Sequence, residues 1–474
     1  MRKLGMCWWS RARYSGVLCL FASEFSPSVA VSDKLLRAER MLVWFYVNFF
    51  KPLENFLKPS LKKILGRNVY IWTGLKRGRS RLLHGLPSSL VKTDKIPHRI
   101  AYPWPDRKRP FGVNVAGNFG SEKGLGEAVR SSVRALKAAS VPYVVNNFVD
   151  PDSVNLESEV QAFDQDNPHA VNLIHLNFDI VPTFAMEKGH RYFAGRYNIG
   201  CWFWELSKFP EEWYSNFDYF NELWASSNFI QDSLSRVSPI PVIKMPLALA
   251  PEVPIGLRLN RSHFHIPDDK FVFLFIFDFD SAIERKNPLG LIEAFKRAFH
   301  RTEDVFLYLK SVHGNQHSHD FASLRVAAGG QTNITITDAV YTREEVDALV
   351  HFCDCYVSLH RSEGLGFPIT EAMKAGKPVV VTAYSGNMDF TNSENSFLVN
   401  YKLSRIEQEG PYPKNYFWAD PDLDQAAQQM RFVYENREAA AERGQRGKDT
   451  VLKLFDPVVA GTRMRERLKR ITSM

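Results

Sequence analysis

Short apolar runs alternate with amphipathic segments along the chain from residue 111 onward. The runs 111–117, 143–147 and 171–176 have the length of buried strands, whereas 127–137 repeats its apolar residues with the period of a helix. Such alternation predicts a parallel sheet covered by helices, with its ligand crevice at the carboxyl ends of the strands. The pattern therefore indicates the α/β class.

A second series of strands and helices follows the first. Prolines spaced through 239–254 indicate a linker, and the continuously apolar run 270–277 then predicts a buried strand. A helical pattern covers 288–299, and another strand is expected to begin at Pro378. The chain is therefore predicted to contain two α/β halves.

Polar and aromatic side chains stand at two strand ends of the first half. Two interpretations stay open for them, because such residues either pack the sheet or face a ligand at its carboxyl edge. They are His175, Asn177 and Asp179 after one strand, and Trp202, Trp204 and Glu205 after the next.

A glycine-rich turn connects the first strand to the first helix. Gly117, Gly120, Gly124 and Gly126 precede the helical pattern that starts at Glu127. Backbone N–H groups converge at such a turn, which favours an anion. A dinucleotide site would need a third glycine in the fingerprint and an acidic residue ending the next strand. Because both are missing, the pattern disfavours an NAD-linked oxidoreductase.

The most informative segment spans 353–382. A strand is expected to end near Leu359, and a glycine-containing loop then leads into a helix with Pro368 in its first turn. Glu363 lies in that loop and Glu371 in the first helical turn, eight positions apart. Ionised carboxylates only accept hydrogen bonds, so paired hydroxyls of a ribose or a hexose are suitable partners. Loop N–H groups beside them suit a phosphate, and these three ligand groups together compose a nucleotide sugar.

These residues resemble the Glu-x7-Glu signature of retaining glycosyltransferases with the GT-B fold. The resemblance is to the large family 4 group, which includes bacterial polysaccharide mannosyltransferases. It extends from about Phe111 to the C-terminus and includes the segments 198–213, 285–288 and 384–390. The flanking Gly-Leu-Gly-Phe-Pro and Glu-Ala-Met sequences make the combination specific.

The resemblance implies roles for individual residues. Glu371 would hold the ribose hydroxyls, Glu363 would face the transferred sugar, and Lys286 with Arg285 would neutralise the leaving diphosphate without a metal. In many relatives the arginine precedes the lysine by several residues, whereas here the two are adjacent. The remaining donor-binding residues would be Gly364, Leu365, Gly366, Phe367, Ser385 and Gly386. For the contact of the first half with the donor sugar, His175 and the Trp204–Glu205 strand end are both candidates. Gly124, Gly126, Glu127 and Glu205 would approach the acceptor and the donor phosphate.

The implied fold is GT-B, with two Rossmann-like domains facing a cleft. The expected boundaries are 1–105 for a basic extension, 106–250 for the acceptor domain, 251–455 for the donor domain and 456–474 for a helix returning to the first domain. The implied activity is retaining transfer of a hexose to a glycan or a lipid-linked glycan in cell-surface polysaccharide synthesis, lipopolysaccharide included. No cofactor is expected, and a donor of mannose or rhamnose on GDP is favoured by resemblance alone. A nucleotide-sugar epimerase and a non-catalytic nucleotide-sugar-binding protein stay open as alternatives.

The charge is distributed unevenly along the chain. The chain has 60 Lys and Arg against 52 Asp and Glu, a net charge of +8. Residues 1–110 hold 22 basic and 6 acidic side chains, which leaves 38 against 46 for the remainder. A net negative body disfavours nucleic-acid binding. No apolar run reaches the roughly 18–20 residues of a bilayer-spanning helix, which disfavours a transmembrane protein.

Aromatic and basic residues interleave within 41–67. A peripheral contact with an anionic membrane and a helical hairpin packed on the body explain this pattern equally well. The membrane interpretation would place a cytoplasmic protein at the inner face of the membrane. Five cysteines spread over the chain do not form a disulfide framework, and they indicate reduced thiols.

Two further patterns carry metal-ligating residues. Asp278-Phe-Asp280 matches the Asp-x-Asp of the other glycosyltransferase fold, but it follows the first strand of a Rossmann-like domain. His313, His317, His319 and Asp320 lie in a polar loop whose spacing matches no structural zinc site. Carboxylates that bond locally and a solvated loop are the simpler explanations, so no metal is expected.

Overall fold

The first half of the structure is a six-stranded parallel sheet. The computed structural model describes residues 109–473 except 151–152, 154, 156–158, 161, 252–258 and 408–409. The strands of this sheet are β1 (Val113–Gly117), β2 (Tyr143–Asn147), β3 (Val171–His175), β4 (Tyr197–Cys201), β5 (Glu222–Ala225) and β6 (Val242–Lys244).

A second six-stranded parallel sheet forms the other half, and both sheets belong to one compact unit. Its strands are β7 (Phe271–Asp278), β8 (Val305–Val312), β9 (Ile334–Asp338), β10 (Cys355–Ser358), β11 (Val379–Thr382) and β12 (Phe397–Val399). An antiparallel hairpin follows, made of β13 (Tyr401–Arg405) and β14 (Phe417–Pro421).

The strand order fixes where each half can bind a ligand. The order is β2-β1-β3-β4-β5-β6 in the first sheet and β12-β11-β10-β7-β8-β9 in the second. The order therefore reverses between β1 and β3 and between β7 and β10. Crevices open at such points beyond the carboxyl ends of the strands. The glycine-rich turn follows β1, and the Glu363 loop follows β10. Both sequence motifs therefore lie where the strand order reverses.

Helices cover the sheets. They are α1 (Gly124–Ala138), α2 (Val181–Lys188), α3 (His190–Phe193), α4 (Asn228–Ser235), α5 (Ile283–Lys286), α6 (Pro288–Ala298), α7 (Ser318–Ala328), α8 (Arg343–Phe352), α9 (Phe367–Lys374), α10 (Leu423–Glu435), α11 (Arg437–Leu454) and α12 (Pro457–Thr472), with 3₁₀ turns at Glu211–Tyr219, Arg261–Phe264, Phe279–Ser281 and Gly386–Asp389.

The helix that carries Glu371 is delimited as its sequence predicts. Gly366 precedes α9 with φ of 96°, Pro368 occupies the first turn, and Gly376 follows the helix with φ of 73°. Both glycines lie in the left-handed region that side-chain-bearing residues rarely adopt. Because α9 begins at Phe367, Glu371 lies just beyond the first turn, whereas the sequence interpretation placed it within that turn.

The last helix of the chain packs on the first half. Asp456 caps α12 by accepting hydrogen bonds from the N–H groups of Val458 and Val459. The buried face of α12 joins the core of the first sheet, and a Cβ on Gly461 would lie 2.1 Å from the carbonyl oxygen of Ala135 in α1. The close approach of the two helices therefore requires glycine at this position.

A buried ion pair fastens α12 to strand β5 of the first sheet. Glu222 on β5 is fully buried, and the Nε atom of Arg467 lies 3.1 Å from each of its carboxylate oxygens. Trp224 Nε1 and the Tyr197 hydroxyl also donate to this carboxylate, at 2.6 and 3.2 Å. Four donor contacts thus compensate the loss of water around Glu222.

Within the part of the chain that the structure describes, no helix is both long and apolar enough to cross a membrane. The basic extension 1–105 and the interleaved segment 41–67 lie outside the described residues. The three cysteines that are described, Cys201, Cys353 and Cys355, are free and buried, which agrees with their interpretation as thiols.

Replacing Arg467 should destabilise the protein strongly. Arg467→Met leaves Glu222 buried without a cation, and breaking a buried pair on one side costs about 3–5 kcal/mol. Urea unfolding followed by tryptophan fluorescence measures the loss. Lys469→Met changes an exposed lysine two residues further along α12 and is the matched control. Equal stability of the two variants would contradict the role of the ion pair.

Candidate active site

A buried carboxylate between two cations forms the centre of the site. Glu363 follows β10, while Arg285 and Lys286 end the short helix α5 that follows β7. Lys286 Nζ lies 2.5 Å from Glu363 Oε1, and Arg285 Nη1 lies 3.1 Å from Oε2. The side chains of all three are at most 12% exposed. Strands β7 and β10 are neighbours, and they bring the carboxylate and the two cations together at the point where the strand order reverses.

The charges in this cluster favour the ionised form of Glu363. Burial by itself would raise the pKa of Glu363, but the two cations outweigh burial and lower this pKa to about 2. Burial lowers the pKa of Lys286, and the Glu363 carboxylate opposes that shift. Burial would lower the pKa of Arg285, but Tyr412 and the carboxylates of Glu363 and Glu205 outweigh burial and raise it. An anion entering the site would find two cations that are already in place.

The loop of Glu363 is held on both sides by backbone contacts. Its N–H donates to Ser385 Oγ at 2.8 Å, and its carbonyl accepts from the N–H of Gly386 at 2.9 Å. A Cβ on Gly386 would lie 2.0 Å from the carbonyl oxygen of Gly364, so this approach requires glycine. From the first half, Ser227 Oγ donates to that same Gly364 carbonyl at 2.6 Å. The loop is thus fixed before any ligand binds.

The other residues of this segment that were predicted to bind the donor make packing or backbone contacts rather than side-chain hydrogen bonds. Leu365 is buried in the core of the second half, and Gly366 opens α9. The ring of Phe367 lies 6.4 Å from that of Phe203, centroid to centroid. The ring contact also joins the segment to the first half.

Glu371 is paired with an arginine that the motif did not indicate. Arg343 Nη1 lies 2.5 Å from Glu371 Oε1, and Arg343 Nη2 lies 2.5 Å from Asp347. Burial raises the pKa of Glu371, with Arg343 acting against that shift and Glu127 of the first half adding to it. The two carboxylates of the motif therefore have opposite shifts, because Glu363 has two cations as neighbours and Glu371 shares one.

The glycine-rich motif of the first half is partly helical. Gly124, Gly126 and Glu127 lie in the first turn of α1, whereas the sequence pattern placed the two glycines in the turn before the helix. A Cβ on Gly124 would lie 3.5 Å from the Phe367 ring, so the start of α1 faces α9. The Glu127 carboxylate is 3.2 Å from Arg130 Nη2 and also contacts Arg134. The loop that precedes the helix is 118–123.

Glu205 lies beside the cation cluster rather than beside the glycine motif. Its Oε2 accepts from the Tyr412 hydroxyl at 2.9 Å, and its backbone carbonyl accepts from Ser362 Oγ. Tyr412 also contacts Arg285, whose guanidinium carbon is 5.9 Å from the ring centroid. The ring of Trp204 lies 5.5 Å from that of Tyr412. The strand end predicted from the sequence thus reaches the second half through the segment joining β13 and β14.

His175 lies at the end of β3 and is fully buried. Burial lowers its pKa to about 3, so the ring is neutral near pH 7. Among the described residues neither ring nitrogen has a hydrogen-bond partner, and no ion pair joins this ring to Glu363. The Cβ of His175 packs beside Gly117 at the end of β1. A role for His175 with the donor sugar stays a prediction.

Four residues of this region were not predicted from the sequence. Tyr412 and Arg343 lie far from the Glu-x7-Glu segment along the chain, and Ser227 belongs to the other half. His360 precedes the motif, where its Nδ1 contacts Ser358 Oγ at 3.0 Å and its Nε2 contacts Asn387 Oδ1 at 3.1 Å. A histidine three residues before Glu363 is the one signal that the motif itself offered.

Comparison with known proteins gives a family match for the second half of the chain. Residues 258–450 match the family model described as glycosyl transferases group 1. No curated protein gives a significant match. Solved structures that resemble the chain include HepE of Anabaena in complex with UDP and glucose, with a TM-score of 0.56, 15% identity, and coverage of 76% of this chain and 100% of that one. Sucrose-phosphate synthase of Thermosynechococcus elongatus has a TM-score of 0.57, 14% identity, and coverage of 77% and 100%. A glycosyltransferase of Rickettsia africae has a TM-score of 0.55, 15% identity, and coverage of 76% and 98%.

These findings define the class of protein. The chain has the GT-B fold, as its sequence predicted, with two α/β halves that each contain six parallel strands. The match of its second half to the glycosyl transferases group 1 model supports a glycosyltransferase.

Proposed function

We propose that the protein is a retaining glycosyltransferase that moves a hexose from a nucleotide diphosphate sugar to a glycan or a lipid-linked glycan acceptor. The observation that carries the proposal is the buried contact of Glu363 with Lys286 and Arg285 inside the glycosyl transferases group 1 domain. In this proposal the protein works in cell-surface polysaccharide synthesis at the cytoplasmic face of the membrane.

The cation pair suits a leaving diphosphate. Charge develops on the diphosphate as its bond to the sugar breaks, and fixed cations stabilise such charge without reorganising at that moment. Lys286 and Arg285 would bind the phosphates, and Glu363 would then accept hydrogen bonds from hydroxyls of the transferred sugar. Two cations supply this stabilisation without a metal at the diphosphate. In this proposal the transition state is oxocarbenium-like and the configuration is retained.

Glu371 suits the ribose of the donor. Its carboxylate lies on α9, and the cavity beside it is lined by Glu127, Arg343, Phe367 and Thr370. A carboxylate that accepts from two hydroxyls needs its charge, and Arg343 favours that charge against burial. The resemblance to HepE, whose structure contains UDP and glucose, is consistent with a nucleotide sugar as the donor.

Two other functions fit parts of the site. A nucleotide-sugar epimerase would convert the donor with no acceptor present. A non-catalytic nucleotide-sugar-binding protein would bind the donor and leave it unchanged. The paired cations beside Glu363 favour transfer, because they suit a diphosphate that departs rather than one that stays bound.

Loss of Lys286 should slow the reaction much more than it weakens donor binding. Lys286→Ala removes one fixed charge from the transition state, and a loss of about 10²–10³ in kcat is expected. Donor hydrolysis or transfer to a glycan mixture measures the rate. Lys402→Ala changes an exposed lysine of β13 and serves as the control. An unchanged kcat would exclude Lys286 from the reaction.

Nucleotide-dependent stabilisation tests the proposed donor site. The melting temperature should rise with one of UDP, GDP, dTDP and ADP, because a ligand that binds the folded state stabilises it. Glu371→Ala should weaken nucleotide binding by about 1.5–3 kcal/mol, the scale of a hydrogen bond to a charged group. If no nucleotide shifts the melting temperature at millimolar concentration, the donor site is excluded. If the variant binds as tightly as the original chain, the ribose role of Glu371 is wrong.

Nucleotide affinity should also depend on pH through Glu371. The pKa of Glu371 is raised, so protonation begins nearer to neutral pH and affinity should fall as the pH decreases. Arg343→Met removes the cation that opposes this shift and should move the fall in affinity to higher pH. Calorimetric titration from about pH 8 to about pH 5 covers the range in which a raised carboxyl pKa acts. Identical pH profiles for the two proteins would contradict the pairing.

A further inference from the structure

Two polar patterns that are separate in the sequence meet at the ends of adjacent strands. Strands β7 and β8 pair in parallel up to Asp278 and Val312. Asp280 follows in the turn after β7, while His313 and His317 lie in the loop between β8 and α7. The parallel register therefore places two carboxylates and two imidazoles at one edge of the second sheet.

The ligand atoms of three of these side chains lie within reach of a single ion, and the fourth contacts one of the three. His313 Nδ1 is 2.7 Å from Asp278 Oδ1 and 3.5 Å from Asp280 Oδ2, and His317 Nε2 is 2.9 Å from Asp280 Oδ1. One ligand atom from each of Asp278, Asp280 and His313 lies within 4.8 Å of the others. A tetrahedral zinc site with bonds of roughly 2.0–2.1 Å has ligand atoms about 3.3 Å apart. The ligand atoms of Asp278, Asp280 and His313 are close to that spacing, and His317 Nε2 contacts the group through Asp280.

Neighbouring groups orient these side chains. The Asp280 N–H donates to Asp278 Oδ1 at 2.9 Å, and the His317 ring stacks on Phe279 with an interplanar angle of 21°. The other ring nitrogen of His317 faces Asp320 Oδ2 at 3.8 Å. A carboxylate behind a histidine is the usual outer partner of a metal-bound imidazole. Asp338 accepts from the N–H of Gly314 at 3.0 Å and so holds the loop that carries both histidines.

The cluster also concentrates negative charge. His313 Nδ1 faces the carboxylates of both Asp278 and Asp280, and two carboxylates around one imidazole favour an added cation. Lys123, from the loop before α1, lies 3.9 Å from Asp280 Oδ2 and 3.5 Å from Asp150 Oδ2. A divalent ion would replace the imidazole proton and compete with the lysine for Asp280.

We propose that Asp278, Asp280, His313 and His317 form a binding site for a divalent transition metal of the zinc type. Imidazole nitrogens together with carboxylate oxygens suit zinc, whereas all-oxygen sites suit magnesium and calcium. The side chains of His317 and Asp280 are 34% and 31% exposed, which gives the ion a path from solvent. Because the ion would take Asp280 from Lys123, metal binding releases one contact between the second half and the loop before α1.

The proposed metal has no part in neutralising the diphosphate. Lys286 and Arg285 supply that charge, so the site stands independently of the proposed transferase activity. Its test can therefore rest on metal binding alone.

Cobalt provides a spectroscopic probe of the site. The untagged full chain, stripped of metal with a chelator, is titrated with Co²⁺, and visible d–d absorption reports bound ion. One equivalent should bind, and Zn²⁺ should displace it. His313→Gln and Asp280→Asn should each weaken binding at least tenfold, about the lower limit for altering a metal site. His319→Gln changes a histidine whose side chain is 94% exposed and should bind as the original chain does.

Lys123→Met provides a second test, because this variant should strengthen Co²⁺ binding, whereas the ligand variants should weaken it. Removing the competing ammonium should tighten Co²⁺ binding by about two- to fivefold, the scale of one exposed ion pair. Absence of d–d absorption in the original chain would overturn the site. So would equal weakening by His313→Gln and His319→Gln, since that result means adventitious binding by surface histidines. Circular dichroism of each variant shows that it is folded.

Discussion

The buried contact of one carboxylate with two cations is the constraint on which the rest of the site depends. Removing Glu363, Lys286 and Arg285 from water is costly, and their mutual attraction offsets that cost only if the geometry is held. The structure holds it with backbone contacts to the Glu363 loop and with Tyr412 beside Arg285. A ligand with matching charges can replace one partner of this arrangement without the others moving.

The topology explains why these groups meet. Arg285 and Lys286 follow β7 and Glu363 follows β10, and these strands are neighbours although about 80 residues separate them. The chain order reverses between them, so a crevice opens there. The first half contributes through Ser227 and Glu205, both of which bond to the segment around the motif. The ligand-binding segment is therefore shaped by both halves.

The two glutamates of the motif differ because their surroundings differ. Two cations lower the pKa of Glu363, whereas burial and a single shared arginine leave the pKa of Glu371 raised. The same residue type thus has two different electrostatic environments at a spacing of eight. A third group of carboxylates, Asp278 and Asp280, is paired with histidines instead and suits a metal ion. Glu363, Glu371 and the two aspartates therefore differ in the groups they contact. This difference is the physical basis for proposing a different ligand for each.

The sequence by itself determined the α/β class, the two halves and the limits of α9, and it singled out Glu363 and Glu371 as candidate site residues. These features depend on local periodicity, on glycine and proline conformations and on short spacings, all of which are visible along the chain. Only the tertiary structure decided that Arg343 pairs with Glu371 and that Tyr412 reaches Glu205. The same holds for the two metal-ligand patterns, which seemed unrelated until β7 and β8 paired in register. Contacts between residues distant in sequence depend on strand order, and no local pattern encodes that order.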